Sequence, residues 1–298
     1  MDYFETQINQ WADWEAVRNN ATIFAPLIKQ IYSSENEMYK SPETVADETA
    51  AVFSVGLTQI VIFPPSHVMP TARERYQTER FSLTRMKRLK VTAPEMRHAG
   101  FIFDAYQFYY VIYQPLAGVC LADFATTAEP LAKSTLGRQI GTALNQINGE
   151  TGSFNHIDAR KEADAADWTI LGSDFKAERE ALLDQHPVAT TDFVHGQLTG
   201  TNLVVTSGQV GFQHFVDARQ APRQTELVPL IFDAFQGDSD FLTGLKATLS
   251  SADLALDLML GLLWRADGPA YIQQLMGSKP VTLATVQAAV TTLVTHHD

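Results

Sequence analysis

The chain has 298 residues, of which 45% are hydrophobic and 19% are charged, so it is long enough to bury a large core. This composition excludes an intrinsically disordered protein. The formal net charge of −12 argues against nucleic acid as a partner, because an acidic surface repels phosphate backbones. The same surface would attract a cationic small substrate, although solubility alone also explains the charge.

The single cysteine, Cys120, excludes an internal disulfide, which suits a reducing cytoplasm. It lies in the apolar run 116–121, so we expect a buried small hydrophobic residue, and neither a nucleophile nor a zinc ligand. Residues 1–5 do not begin a signal peptide, and the most apolar helix candidate, 254–264, is too short to cross a membrane. We therefore expect a cytoplasmic protein with no membrane partner, no zinc and no haem.

The first part of the chain predicts helices followed by a β-rich segment. Apolar residues recur with helical spacing over 3–33, which indicates one or two leading helices. The runs 51–55 and 59–63 are rich in β-forming residues and are separated by Gly56, which predicts a β-hairpin.

A long helix is predicted next. Thr71 begins it, Glu74 completes a capping box, and the helix should end near Lys90, with its arginines, including Arg85, on a solvated face. Two further strands are predicted at 98–103 and 108–113.

A break containing proline and glycine follows at 114–118, and the pattern then becomes mainly helical. Apolar residues at spacings of three and four define one such helix: Leu136, Ile140, Leu144 and Ile147. The sequence therefore predicts an α+β fold with a small β-rich N-terminal lobe, 1–114, and a larger helical C-terminal lobe, 115–298.

The most informative segment is a polar loop, 195–202, that leads into a predicted hairpin whose second strand spans 210–216. Asn202 begins the hairpin and Asp217 ends it, so an amide oxygen and a carboxylate should lie close together. Mg²⁺ prefers such oxygen ligands, and phosphoryl transfer from a nucleotide requires positioned Mg²⁺. Gln197 lies a few residues before Asn202, where it would face the hydroxyl that accepts the phosphoryl group.

The loop His195-Gly196-Gln197-Leu198-Thr199-Gly200-Thr201-Asn202 resembles the His-Gly-Asp-Leu-x-x-x-Asn motif of aminoglycoside phosphotransferases and of the related choline, fructosamine and homoserine kinases. Asp217 resembles the metal-binding Asp of these kinases. The resemblance also covers the third small-lobe strand (61–65), the Glu of the next helix (Glu79), the last strand and adenine-binding hinge (110–118), and the helix before the loop (141–147).

This resemblance implies a protein-kinase-like fold with two lobes, in which ATP and Mg²⁺ bind in the cleft between them. The residues that it assigns are Asn202 and Asp217 as metal ligands, Gln197 and His195 in the catalytic loop, and Val61, Glu79, Gln114 and Leu116 at the nucleotide.

The chain departs from the pattern of these kinases at three places. Gln197 stands where they have the catalytic Asp, and an amide can orient a hydroxyl but cannot take its proton near neutral pH. Val61 stands where they usually have the Lys that reaches the phosphates. The loop 45–50 of the first hairpin has no glycine and carries two acids, although such a loop usually needs glycine to approach phosphates closely.

Because all three groups are missing together, we expect a pseudokinase that retains weak binding of ATP and Mg²⁺, with a small molecule or a protein partner in the cleft. One alternative is an active ATP-dependent kinase that phosphorylates a hydroxyl of a small, amine-bearing substrate and uses Gln197 for orientation only. Another is a partner-binding module that takes no ligand.

Three other groups of residues are candidates for a site. His156 and Asp158 are expected to cap a loop, and the terminal pair His296-His297 is not expected to bind metal. The resemblance implies that acidic and aromatic groups of the helical lobe bind amine-bearing substrates, a role that an acidic cluster aided by Trp264 would suit, but helix capping and loop solvation explain the cluster equally well; its members are Asp233, Asp238 and Asp240.

Overall fold

The computed structural model describes residues 3–295. Its first five strands are β1 (Glu43–Val45), β2 (Ala51–Val55), β3 (Thr58–Ile62), β4 (Glu95–Phe103) and β5 (Gln107–Gln114). They form one antiparallel sheet in the order β1-β2-β3-β5-β4. The hairpin of β2 and β3 is confirmed, and Gly56 turns it with a φ of +68°, a conformation that costs glycine little.

Two leading helices, α1 (Trp11–Val17) and α2 (Ala21–Ser34), cover one face of this sheet. The Asn20 side chain begins α2 by accepting hydrogen bonds from the backbone N–H groups of Thr22 and Ile23 at 3.1 and 3.3 Å. Apolar side chains from both helices and from alternate positions of the strands form a buried core, which includes Trp14, Phe24, Phe53 and Phe108.

The helical prediction for the first residues is wrong, because α1 begins only at Trp11. The Asp104 carboxylate accepts hydrogen bonds from the backbone N–H groups of Tyr3 and Phe4, at 2.9 and 2.6 Å. These bonds hold the segment in a non-helical course, and the Phe4 ring is fully buried.

The long helix α3 (Ala72–Leu89) follows Thr71, as predicted. One expectation for it is wrong, because the Arg85 side chain is buried and not solvated. Arg85 lies two helical turns after the buried Thr78 and therefore on the same helix face.

The rest of the chain is mainly helical, with five short strands that form one three-stranded sheet and one two-stranded sheet. Its helices are α4 (Leu121–Ala125), α5 (Pro130–Ile147), α6 (Ala159–Ala165), α7 (Phe175–Gln185), α8 (Leu227–Pro229), α9 (Ser239–Lys246), α10 (Leu254–Leu263), α11 (Gly268–Met276) and α12 (Leu283–Thr295). Its strands are β6 (Val119–Cys120), β7 (Phe193–Val194), β8 (Leu203–Thr206), β9 (Gln209–Phe212) and β10 (Arg219–Gln220). Two 3-10 turns (Trp168–Leu171 and Arg223–Glu226) and a π-helical turn (Leu230–Ala234) complete it, the last two flanking α8.

The strand predicted over 210–216 ends earlier, at Phe212. Gln213 still donates its backbone N–H to the carbonyl of Asn202, at 3.0 Å, and so extends the pairing of β8 and β9 by one step. His214 then adopts a φ of +66°, which no strand residue can have, and the chain turns away from the hairpin.

The chain divides into two compact units. The first comprises residues up to Arg88 together with Ala93–Leu116, and the second comprises Leu89–Thr92 and the chain from Ala117 onward. Within the described residues, no helix combines the length and the apolar character that crossing a membrane requires.

Candidate functional site

The polar loop 195–202 lies in the second unit and is held from within by His195. The ring is buried, and its Nε2 lies 2.9 Å from the carbonyl oxygen of Gln213. Its Nδ1 accepts a hydrogen bond from the backbone N–H of Gln197 at 3.4 Å, so the proton resides on Nε2. Burial lowers the pKa of His195 to about 4, which keeps the ring neutral. His195 therefore supports the loop from inside.

Gly196 is the point at which this loop is gripped most tightly. Its N–H donates to Oε1 of Glu226 at 2.9 Å, and its carbonyl oxygen accepts from Nη1 of Arg265 at 3.0 Å. Its φ is +87°, and a Cβ added there would lie 2.4 Å from the carbonyl oxygen of Asp217. Only glycine fits this position without displacing the backbone.

We expect Gly196→Ala to destabilise the protein by about 3 kcal/mol or more, since it adds a backbone clash to an unfavourable φ. Gly208→Ala is the matched control, because Gly208 has a φ of +76° but a Cβ added there would meet no atom within 4 Å, so only the backbone cost of about 1 kcal/mol should appear. Urea denaturation of the two variants measures the difference. Equal losses would show that the contact with Asp217 relaxes freely.

Glu226 and Arg265 were not identified from the sequence. Glu226 has no exposed surface, and desolvation raises the pKa of its carboxyl to about 7. Its Oε2 has no hydrogen-bond partner among residues 3–295. Arg265 donates to both carboxylate oxygens of Asp267 at 2.7 Å, in the bidentate geometry of strong pairs. An acid followed directly by the apolar run 227–231 was the one available sign that Glu226 would be buried.

The predicted metal ligand Asn202 is oriented by the loop itself. Its Nδ2 donates to the carbonyl oxygen of Gln197 at 2.9 Å, and its backbone N–H donates to the carbonyl oxygen of Thr199 at 3.1 Å. The side-chain oxygen is thereby left as the acceptor, which is the atom that Mg²⁺ would use.

The predicted ligand Asp217 follows the loop segment after β9 and is half-buried. Its carbonyl oxygen accepts from Nε of Arg219 at 3.1 Å and lies against Gly196. Together with the bond between His195 and Gln213, this contact joins the segment that carries Asp217 to the loop that carries Asn202. One amide oxygen and one carboxylate suit Mg²⁺, which keeps most of its waters. Within residues 3–295, no group of three or more His, Cys, Asp or Glu side chains is arranged to hold a metal ion.

The remaining predicted residues lie in the first unit. Val61 is buried in β3, and Glu79 is buried in α3. Burial raises the pKa of the Tyr113 hydroxyl on β5, and the carboxylate of Glu79 raises it further. Gln114 ends β5 and is exposed, and Leu116 follows it and is half-buried.

The loop between β1 and β2 is closed by its own aspartate. Oδ1 of Asp47 accepts hydrogen bonds from the backbone N–H groups of Thr49 and Ala50, at 2.8 and 2.7 Å. The carbonyl oxygen of Thr49 accepts from the indole of Trp14 at 2.7 Å. A phosphate would need the amides that Asp47 already engages, and it would meet the negative charge of that carboxylate.

A cavity of about 200 Å³ lies beside Gln197 within the second unit. Gly196, Gln197 and Trp264 form part of its wall. Its charged lining side chains form two pairs, Glu162 with Arg219 and Asp267 with Arg265.

Three of the other sequence candidates, Asp158, Asp233 and Asp238, have structural contacts. Asp158, expected to cap a loop, caps the start of helix α6 by accepting from the N–H of Lys161 at 3.0 Å. In the acidic cluster, Asp238 caps α9 and pairs with Lys133 at 2.8 Å, and Asp233 accepts a hydrogen bond from Tyr271. The pair His296-His297 lies outside the described residues.

Cys120 is only partly buried, which differs from the expected interior position. Its sulfur caps α4 by accepting from the N–H of Asp123 at 3.4 Å, and this role at the start of a helix keeps it near the surface. Partial burial is the main cause of the raised pKa of the Cys120 thiol, so the thiolate form that a nucleophile needs is disfavoured.

No protein-family model matches the chain, and no curated protein matches its sequence. Solved structures do match. A GDP complex of an aminoglycoside 2'-phosphotransferase-IIIa mutant is 17% identical, with a TM-score of 0.62 over 93% of this chain and 95% of that one. Amicoumacin kinase in complex with AMP-PNP, Ca²⁺ and Ami is 15% identical, with a TM-score of 0.60 over 97% and 98%. Choline kinase LicA from Streptococcus pneumoniae is 14% identical, with a TM-score of 0.56 over 92% and 99%.

These likenesses establish the fold. The chain has the α+β, protein-kinase-like architecture of small-molecule kinases, which confirms the fold class predicted from the sequence.

Proposed function

We propose that this protein is a pseudokinase of the aminoglycoside phosphotransferase and choline kinase type, which binds a nucleotide with Mg²⁺ but has lost ordinary phosphoryl transfer. The observation that carries the proposal is that the loop 195–202 is held in place by buried side chains, while the residue at the catalytic position cannot act as a base. His195, Glu226 and Arg265 hold the loop in a defined shape, while Gln197 stands where related kinases have Asp.

The loss of chemistry follows from three groups. The amide of Gln197 can accept a hydrogen bond from a hydroxyl but cannot remove its proton. Val61 supplies no positive charge to a phosphate, and its surroundings in β3 are apolar: Val52 and Val111 pair with it. The amides of the β1–β2 loop are engaged by Asp47. Each missing electrostatic group costs a kinase about 10²-fold or more in rate.

The groups for binding a nucleotide are retained in part. We assign Asn202 and Asp217 to the metal ion, because an amide oxygen and a carboxylate are ligands of the kind that Mg²⁺ accepts. Bound Mg²⁺ would neutralise phosphate charge. In the first unit, the residues assigned to the nucleotide are Val61 and Glu79, with Gln114 and Leu116 at the adenine. The relatives were solved with GDP and with AMP-PNP and Ca²⁺, which supports a nucleotide as the ligand.

An active kinase that uses Gln197 only to orient its acceptor is the second candidate. The orientation of Asn202 is compatible with it as well as with the pseudokinase, because the hydrogen bond to the Gln197 carbonyl leaves the amide oxygen available to a metal ion in either case. Turnover, and not binding, separates the two candidates.

Thermal unfolding with and without ATP and Mg²⁺ tests the proposal. A nucleotide at about 100 times its dissociation constant should stabilise the protein by roughly 2.7 kcal/mol. We expect a clear upward shift in the wild type, a smaller shift in Asp217→Asn, and no ATP-dependent phosphorylation of hydroxyl-bearing amines. Asp158→Asn, which alters a helix cap in the second unit, is the control and should shift like the wild type. The absence of any shift at millimolar ATP would contradict the nucleotide assignment, and turnover by the wild type would contradict the pseudokinase assignment.

A further inference from the structure

The cavity beside Gln197 contains charged side chains of both signs, and they neutralise one another. On one side, Nη1 of Arg219 lies 2.6 Å from the Glu162 carboxylate. Nε of the same guanidinium donates to the carbonyl oxygen of Asp217 at 3.1 Å. Arg219 is therefore held at two of its nitrogen atoms in the orientation that covers Glu162.

The second pair is fixed more firmly. Arg265 binds Asp267 through two hydrogen bonds of 2.7 Å, and its third nitrogen donates to the carbonyl oxygens of Gly196 and Thr225 at 3.0 and 3.3 Å. Its side chain is only 10% exposed. An entering cation could not take Asp267 from Arg265 without breaking this network.

A cationic amine gains most from a carboxylate whose charge no internal cation already balances. Each carboxylate that lines this cavity is balanced by an arginine, and in the acidic cluster expected to serve an amine, Asp238 is likewise paired with Lys133. Hydroxyl groups do not depend on such a carboxylate, because they can donate to a paired carboxylate and accept from a paired guanidinium without changing the charge balance. Trp264 also forms part of the wall: the Arg160 guanidinium lies over its ring, 5.1 Å from the centroid, and the rest of the indole is apolar surface that suits the C–H groups of a sugar or cyclic polyol.

We infer that Arg219 determines the specificity of this cavity: by covering Glu162 it excludes cationic amines and leaves the cavity to uncharged, hydroxyl-bearing small molecules. The inference adds a class of small-molecule ligand to the proposed function, and it rests on that proposal only in taking Gln197, which lines this cavity, as the residue that faces such a molecule.

Glucose and glucosamine form the matched probe pair, since they differ at one position that carries a hydroxyl in one and a protonated amine in the other at pH 7. Their dissociation constants are measured by ligand-observed NMR titration in the absence of nucleotide. In the wild type, we expect glucose to bind at least as tightly as glucosamine. In Arg219→Gln, the released carboxylate of Glu162 should improve glucosamine binding by about fivefold, the size of one partly exposed ion pair, and leave glucose nearly unchanged.

Two controls separate this effect from a loss of structure. Arg97→Gln breaks an Arg–Glu pair in the first unit and should change neither affinity. The double variant Arg219→Gln with Glu162→Gln should lose the gain for glucosamine, because the gain requires the carboxylate. If Arg219→Gln does not fold, the single variant Glu162→Gln serves instead: glucosamine should bind it no better than the wild type, while glucose binding persists.

The inference is overturned if the wild type prefers glucosamine, if Arg219→Gln leaves the ratio unchanged, or if neither sugar binds either protein at tens of millimolar. Because no nucleotide is present, these outcomes are independent of the proposed binding of ATP. A normal stabilisation by ATP and Mg²⁺ combined with any of them would refute the cavity's assignment alone.

Discussion

Replacing Glu226 with Gln is expected to stabilise the protein at pH 8 by on the order of 3 kcal/mol. Burial raises the pKa of Glu226 to about 7 in the folded protein, from an ordinary value of 4.5. Between these values the folded state retains a proton that the unfolded state has released, so stability falls as the pH rises through 7. The amide of Gln cannot ionise, and its oxygen can still accept the N–H of Gly196.

His195 should produce the opposite dependence. Burial lowers its pKa to about 4, from an ordinary value of 6.5. Between pH 6.5 and 4 the unfolded state binds a proton that the folded state does not, so stability falls as the pH falls, again by on the order of 3 kcal/mol. Between about pH 4.5 and 6.5 the two effects on the free energy of unfolding have opposite slopes and nearly cancel. The combined contribution of Glu226 and His195 to wild-type stability should therefore be almost independent of pH in that range.

Urea denaturation at several values between pH 4.5 and 8 measures both effects. In Glu226→Gln only the His195 effect remains, so the free energy of unfolding should rise with pH up to about 6.5. In His195→Gln only the Glu226 effect remains, so the free energy of unfolding should fall with pH up to about 7. Glu95→Gln, at an exposed glutamate paired with Lys87, is the control and should follow the wild type. Profiles of Glu226→Gln and wild type that run parallel would mean that the Glu226 carboxyl titrates normally in the folded protein.

Gln197→Asp alone is expected to leave ATP-dependent turnover at the background of the wild type. The variant regains a group that can accept a proton, but Val61 and the loop closed by Asp47 still supply nothing to hold the phosphates. Adding Val61→Lys to Gln197→Asp should raise turnover above the single variant by about 10²-fold, since one electrostatic group is then restored.

A coupled assay of ADP release over a panel of hydroxyl-bearing amines and sugars measures this difference. Gln197→Asn, which has the size of Asp without its basicity, should match the wild type with or without Val61→Lys. Substantial turnover by Gln197→Asp alone would contradict this prediction. It would mean that other residues position the phosphates and that Gln197 by itself accounts for the loss of activity.

Local patterns in the sequence predicted much of the fold because they are set by near neighbours. Runs of β-forming residues marked β2, β3 and β5, and apolar spacing marked α5, where the predicted face is buried through Leu136, Ile140, Leu144 and Ile147. The end of β9 was missed because it depends on the backbone of a single residue, His214, whose positive φ no apolar pattern encodes.

The support of the candidate site was missed because its partners are distant in sequence. Glu226 reaches Gly196 across 30 residues, and Arg265 reaches it across 69. The charge pairing in the cavity is of the same kind, since Arg219 finds Glu162 across 57 residues. Composition and spacing reveal that charged residues exist, but only the folded chain decides which of them neutralise one another.

The two hydrogen bonds to the backbone of Gly196 make the conformation of the loop independent of the side chain that would take part in a reaction. Glu226 and Arg265 bind the peptide groups of Gly196, and His195 accepts the amide of residue 197, so each of these contacts is made to the backbone or from the loop's interior. None of them depends on which side chain residue 197 carries. The side chain at position 197 can therefore be exchanged, and its reactivity lost or regained, while the backbone of the loop keeps the same conformation.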